Sequence, residues 1–251
     1  MYQNAENLKR GFVLIHGGGF GPWVWDRVIP LLHLPALTVE RTGTKQPVNL
    51  RKLTIADCAG FVKSAIEQAG LERVIVVGHS GGGLIVPEVA AQLPEQVIHL
   101  VFIAANIPPE GKCALDVLPF MPRLMNYLVI ELQSLGVSMP RKQVEQVIRN
   151  VLCTDVDEGS LEWVLSHKSN PEPRALAVEQ VFRAGIGDIP RSFIKLLQDR
   201  TLSVEGQEQM VKNLGGGAEV FSIDTGHMVM VSRPRELAKI LNQIAAERVD
   251  W

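Results

Sequence analysis

Residues 73–84 read RVIVVGHSGGGL. The first half is a β-branched apolar run, and the residues from 81 to 93 carry apolar side chains at helical spacing, so the stretch reads as a buried strand that turns directly into a helix. At the turn, Gly78-His79-Ser80-Gly81-Gly82 matches G-x-S-x-G. A serine in such a turn takes a strained backbone conformation that lifts its hydroxyl above the sheet, and the flanking glycines remove side chains that would block the close strand-to-helix approach. The helix N-terminus behind it favours developing negative charge. Ser80 is therefore the candidate nucleophile, and the N–H of Gly81 a candidate donor to an oxyanion.

Outward from this turn, short β-rich runs alternate with helical patterns. The runs are GFVLIH (11–16), ALTVE (36–40), RVIVVGH (73–79), VIHLVFIA (97–104), SFIKLLQ (192–198) and AEVFSI (218–223), with helices expected over 22–33, 54–69, 81–93, 204–214 and 234–248. Thr54 reads as the N-cap of the second helix and Gly70 as its stop. The alternation implies an α/β fold, a mostly parallel central sheet with helices on both faces. From 107 to 187 no strand pattern appears while helical stretches continue, and both ends carry turn-forming Pro and Gly, so a helical insertion is expected there. The domain reading is a core formed by 1–106 and 188–251 with a helical lid at 107–187.

Composition limits the function. The chain has 251 residues, 46% hydrophobic and 21% charged, enough apolar material for a large core and far from disordered or fibrous compositions. With 25 Lys+Arg against 27 Asp+Glu, the net charge is −2 and no basic block could track a run of phosphates, which argues against nucleic acid. The first ten residues, MYQNAENLKR, hold no apolar signal core, and no run approaches the ~18 apolar residues of a spanning helix. Cysteines at 58, 113 and 153 are odd in number and lack metal or disulfide spacing. The expectation is a cytoplasmic protein with no membrane span, no metal and no cofactor, acting on a small molecule; monomer and homodimer both stay open.

A serine hydroxyl needs a base within reach and a group to orient that base. Of the histidines at 16, 33, 79, 99, 167 and 227, His227 lies in DTGHM, between the last strand and the last helix, at the carboxyl edge of the sheet where such sites form. His79, next to Ser80 in a strand, is expected to point away from it. For the orienting acid, Asp199 directly follows a strand; Asp224 is its rival, three residues before His227 and equally able to organise that turn. The chain order Ser80, Asp199, His227 is the order such sheets use. A second oxyanion donor is expected from the loop His16-Gly17-Gly18-Gly19 after the first strand.

The segments VLIHGGGFGPWVWDRVIPLL (13–32), VIVVGHSGGG (74–83), FIKLLQDRTL (193–202) and DTGHMVMVSRPRELAKIL (224–241) together resemble the α/β-hydrolase superfamily, within it the small esterase and hydroxynitrile-lyase group that includes plant methylesterases. The resemblance implies Ser80 as nucleophile, His227 as base and Asp199 as acid, with Gly18 and Gly81 donating to the oxyanion. The family's usual Asp-x-x-Gly after the second strand stands here as Glu40-Arg41-Thr42-Gly43, a departure at the pocket rim. Lyases of the group typically carry a threonine where Gly17 stands and a lysine where Met228 stands. A lyase needs that cation near the departing cyanide, so the resemblance implies ester hydrolysis through an acyl-enzyme, on a small to medium, largely apolar ester such as a methyl ester. The alternatives are a lyase or carbon–carbon bond hydrolase with the same triad, or a hormone-type receptor that keeps the fold. Phe120, Met121, Met125 and Leu128 read equally well as a pocket wall under the lid or as plain lid core, Trp23 and Trp25 as packing of the first helix, and Arg41 and Lys45 as solvated surface cations.

Overall fold

The computed structural model describes residues 10–42, 49–117, 120–135, 137, 139–167 and 172–247. Gly43 and Lys45, and the side chain of Met125, lie outside what is described. Six strands, β1 (Arg10–Ile15), β2 (Ala36–Val39), β3 (Arg73–His79), β4 (Val97–Ile103), β5 (Arg191–Leu196) and β6 (Glu219–Ile223), form one sheet in the order β2-β1-β3-β4-β5-β6, every pair parallel. All six fall on the runs expected from the sequence.

Period-two alternation divides the core. Val13, Ile15, Val76 and Phe102 point to one face, against Cys58, Val62 and Ile66 of α1 (Ile55–Gln68), Val89 of α2 (Val86–Gln92) and Met210 of α7 (Val204–Asn213). Phe12, Leu14, Val77, Ile103 and Ile194 point to the other, against Trp25 and against Leu237, Leu241 and Ile244 of α8 (Pro234–Ala246). A sheet apolar on both faces must be covered on both, which is why helices flank it. Helix α1 begins with a reciprocal capping box, Thr54 accepting from the Asp57 N–H while the Asp57 carboxylate accepts from that of Thr54. It ends before Gly70, whose φ of +66° turns the chain out of the helix.

Two of the expected helices differ. Residues 22–33 form two short 3-10 segments, Pro22–Trp25 and Ile29–Leu31, held by bonds three residues apart such as Val28 N–H to Trp25 O. Pro30 has no N–H to donate into a helical ladder. Residues 81–93 are likewise split, a 3-10 turn over Ser80–Leu84 followed by α2 with Pro87 in its first turn.

Between β4 and β5 the chain is helical: α3 (Phe120–Ser134), α4 (Arg141–Val147), α5 (Glu158–Ser166) and the single turn α6 (Ala175–Val178). Its two ends are tied together, Gly111 N–H donating to Val181 O and Val181 N–H to Lys112 O, both at 3.0 Å. Leu161 and Val164 of α5 join the Trp25 side of the core. Among the described residues no helix is long and apolar enough to cross a membrane.

Candidate active site

The site assembles at the carboxyl ends of β1, β3, β5 and β6. Ser80 follows β3 with φ +50°, one of two described non-glycine residues in the left-handed region. That strain is held in place by glycines that admit no side chain. A Cβ on Gly78 would lie 2.6 Å from Val86 Cγ2, one on Gly82 would lie 2.8 Å from the Ile15 and His16 carbonyls, and one on Gly83 would lie 2.6 Å from Ala105 Cβ. The Ser80 carbonyl accepts from the Asn106 N–H at 3.0 Å, tying the turn to the end of β4.

The β5–β6 pairing continues past both strand ends, with Leu197 N–H to Ile223 O and Gln198 N–H to Thr225 O, each 3.0 Å. This register sets Asp199 beside His227, whose Nδ1 lies 2.6 Å from Asp199 Oδ2. The other carboxylate oxygen, Oδ1, accepts from Thr201 N–H at 2.7 Å, Thr201 Oγ1–H at 2.7 Å and Leu202 N–H at 3.2 Å. Thr201 Oγ1, its proton given to Asp199, also stands 2.9 Å from His227 Nδ1, so the imidazole N–H is shared between carboxylate and hydroxyl. Burial pushes the Asp199 carboxyl up, but the His227 bond and charge together with the Thr201 donors hold it below the usual aspartate value. Asp224 is exposed and accepts from Gln198 Nε2 at 2.8 Å. Of the two rival acids, Asp199 is the one in contact with His227.

His79 corrects one expectation. His79 keeps the extended conformation and the face of Ile75 and Val77, but Ser80, at φ +50°, does not turn to the opposite face, and the His79 imidazole lies against the His227 ring with centroids 4.6 Å apart. His79 Nε2 bonds the His227 carbonyl at 3.0 Å. Burial first, then the neighbouring His227, push its pKa well below the ordinary histidine value, so it packs beside the base as a neutral donor. Of the other four histidines, His16 bonds Gly17 O at 2.8 Å in the loop after β1, while His99 bonds Ser192 Oγ inside the sheet, His33 is exposed, and His167 stacks on Trp23 at 4.2 Å.

Gly18 and Gly81 face one another, a Cβ on Gly81 falling 3.6 Å from Gly18 N. A Cβ on Gly17 would fall 3.0 Å from Ser80 Cβ and 2.9 Å from His79 Nδ1, so the loop after β1 lies directly over the serine. Arg41 is not a surface cation: it is 1% exposed, and its Nη2 donates to Gly17 O at 3.0 Å and Glu172 Oε1 at 2.7 Å. The departure at Glu40-Arg41 thus delivers a buried charge to the site. Burial of Arg41 depends on a partner 131 residues away, and Thr201 acts through the register of two loops; neither has a local sequence signal.

The helical insertion reaches the site at two points. Asp155 accepts from Thr225 Oγ1 and, with Thr154, packs so closely on Gly226 that a Cβ there would lie 2.7 Å from an oxygen of each. Glu172 accepts from the Gly19 N–H at 2.8 Å. Phe120, Met121 and Leu128 on α3 are 75%, 61% and 47% exposed, so these three line neither an enclosed pocket nor a lid core. Trp25 is buried as expected, while Trp23 packs edge-on against Trp163 of α5. Among the described residues no three His, Cys, Asp or Glu side chains converge as a metal site.

Residues 12–240 match the Alpha/beta hydrolase family. The chain belongs to that family. Among curated relatives it is 30% identical to putative methylesterase 13, chloroplastic, of Arabidopsis thaliana, over 96% of this chain but 57% of that protein. It is 27% identical to norfluorocurarine synthase 1 of Strychnos nux-vomica, over 96% of this chain and 97% of that one. Among solved structures, an extracellular α/β-hydrolase from a Paenibacillus species shares the fold with a TM-score of 0.79 at 21% identity, covering 93% of this chain and 98% of its own. Methylesterases are thus among the relatives of this α/β-hydrolase chain.

Proposed function

We propose that the chain is a serine carboxylesterase that hydrolyses a small to medium, largely apolar ester, such as a methyl ester, through an acyl-enzyme. The observation that carries this reading is the 2.6 Å contact between His227 Nδ1 and Asp199 Oδ2, beside a serine held at φ +50°. With Nδ1–H committed to Asp199, the proton-free nitrogen of His227 is Nε2, the atom that takes the Ser80 hydroxyl proton as Oγ attacks the ester carbonyl. The oxyanion accepts from the N–H groups of Gly18 and Gly81. His227 returns the proton to the leaving alcohol, then takes one from the water that releases the acid. Asp199 stays ionised throughout, stabilising the imidazolium.

Ester hydrolysis is favoured over cyanohydrin cleavage by what surrounds the serine. Met228, where the resembling lyases carry lysine, is fully buried and uncharged, and Gly17 leaves no room for a threonine without displacing His79 or Ser80. Residues 107–187 serve as the lid, seated over the site through Asp155 and Glu172.

The test is steady-state turnover on a panel of aryl and methyl esters. Hydrolysis of at least one ester by the wild type, lowered by several orders of magnitude in Ser80→Ala with the fold intact, is the expected result. Ester turnover by Ser80→Ala at the wild-type rate removes the serine mechanism.

A further inference from the structure

The segment Gly17-Gly18-Gly19 has no side chain of its own to fix its backbone, and Gly19 sits at φ +73°. Glycine loses more conformational freedom on ordering than any other residue, so a donor carried on such a loop needs restraint from outside. Beside the adjacent His16, whose Nδ1 bonds Gly17 O at 2.8 Å, two side chains from farther along the chain supply it. Arg41 Nη2 donates to Gly17 O at 3.0 Å, and Glu172 Oε1 accepts from Gly19 N–H at 2.8 Å; the two side chains are joined at 2.7 Å. The ring closes around Gly18, gripping the carbonyl of the residue before it and the N–H of the residue after it.

Arg41 also reaches past the loop it grips. Among the described residues its Nε and Nη1 are buried with no hydrogen-bond partner, and Nη1 lies 3.9 Å from where a Gly81 Cβ would stand. Its charge is offset by Glu172, whose carboxylate stands 3.7 Å from where a Gly18 Cβ would lie, and by the neighbouring Glu40, so the pair acts on the loop by holding it in place.

We propose that Arg41 and Glu172 are positioning residues that clamp the oxyanion loop, holding the Gly18 N–H toward Gly81. The proposal rests on the reading of Gly18 and Gly81 as the oxyanion donors. Because Glu172 belongs to the insertion, the hole is complete only when the insertion is seated.

The test compares an oxyester with the matching thionoester, whose sulfur accepts hydrogen bonds weakly and so draws little from an ordered oxyanion hole. Arg41→Met and Glu172→Ala are each expected to lower kcat on the oxyester by about 10–100-fold, less than the ~10²–10³ of losing a donor outright, with KM within about threefold. Thionoester turnover should change much less, so the oxyester-to-thionoester ratio falls with kcat. Glu172→Gln, which keeps an acceptor oxygen for Gly19 and Arg41, should recover most of the loss. Glu172 is about one-quarter exposed, so Glu172→Ala tests the clamp even where Arg41→Met fails to fold. An unchanged ratio in folded Glu172→Ala, whatever happens to kcat, overturns the clamp. The underlying esterase reading fails separately, if Ser80→Ala keeps wild-type turnover.

Discussion

Replacing Asp199 with asparagine tests the His227 pair without removing an atom from it. Three donors converge on Oδ1, the Thr201 N–H and Oγ1–H at 2.7 Å and the Leu202 N–H at 3.2 Å. In Asp199→Asn the amide oxygen must stay there, because an NH₂ would face all three donors. The NH₂ is then forced into the place of Oδ2, 2.6 Å from His227 Nδ1. Facing a donor, Nδ1 can only accept, and the ring proton moves to Nε2. The nitrogen that should take the serine proton is then already occupied. The loss expected is about 10⁴ in kcat, as when a serine protease triad aspartate becomes asparagine, or about 5.4 kcal/mol. The assay is kcat/KM on a chromogenic acetate ester, with ¹⁵N NMR of His227 reporting the tautomer. Asp224→Asn, whose side chain bonds only Gln198 among the described residues, should cost less than about tenfold. A near-silent Asp199→Asn, or a crippling Asp224→Asn, would refute the assignment.

Stability should fall as pH drops below about 6.5, because folded His79 stays neutral, its pKa well below the ordinary value, while the unfolded chain takes up the proton there. The slope attributable to it approaches about 1.4 kcal/mol per pH unit, and His79→Gln should flatten the thermal-denaturation midpoint between pH 6.5 and 5; an unchanged slope contradicts the buried neutral state. Ester turnover should survive exhaustive dialysis against EDTA, and loss reversed by added zinc would reveal metal chemistry. Cyanohydrin cleavage by the unmodified protein should be at background in a cyanide-release assay, since Met228 offers no charge to the leaving cyanide; efficient release would restore the lyase reading.

The sheet was legible because each strand announces itself locally: an apolar run such as VIHLVFI can only be a strand buried on both faces when turn residues bound it so closely. Ser80 was legible for the same reason, its glycines being adjacent in sequence to the serine they free. Apolar spacing alone hid the break at Pro30 and overstated the helix at 22–33. What sequence could not reach were contacts made by register and by the insertion. Asp199 was reached from its place after a strand and from the resemblance, but the contact that makes it rather than Asp224 the partner of His227 comes from the β5–β6 pairing running on through Gln198 and Thr225. His79 was set apart from the site by treating Ser80 as the next strand residue, when the φ of Ser80 is positive. Arg41 reads as solvated until Glu172, far along the chain, closes over it.

Whether Ser80 is the activated nucleophile is read by intact-mass analysis after exposure to a fluorophosphonate. One adduct per chain is expected, mapped by peptide sequencing to Ser80, absent from Ser80→Ala and strongly slowed in Asp199→Asn. An adduct on another residue, or labelling of Ser80→Ala at the wild-type rate, would contradict it.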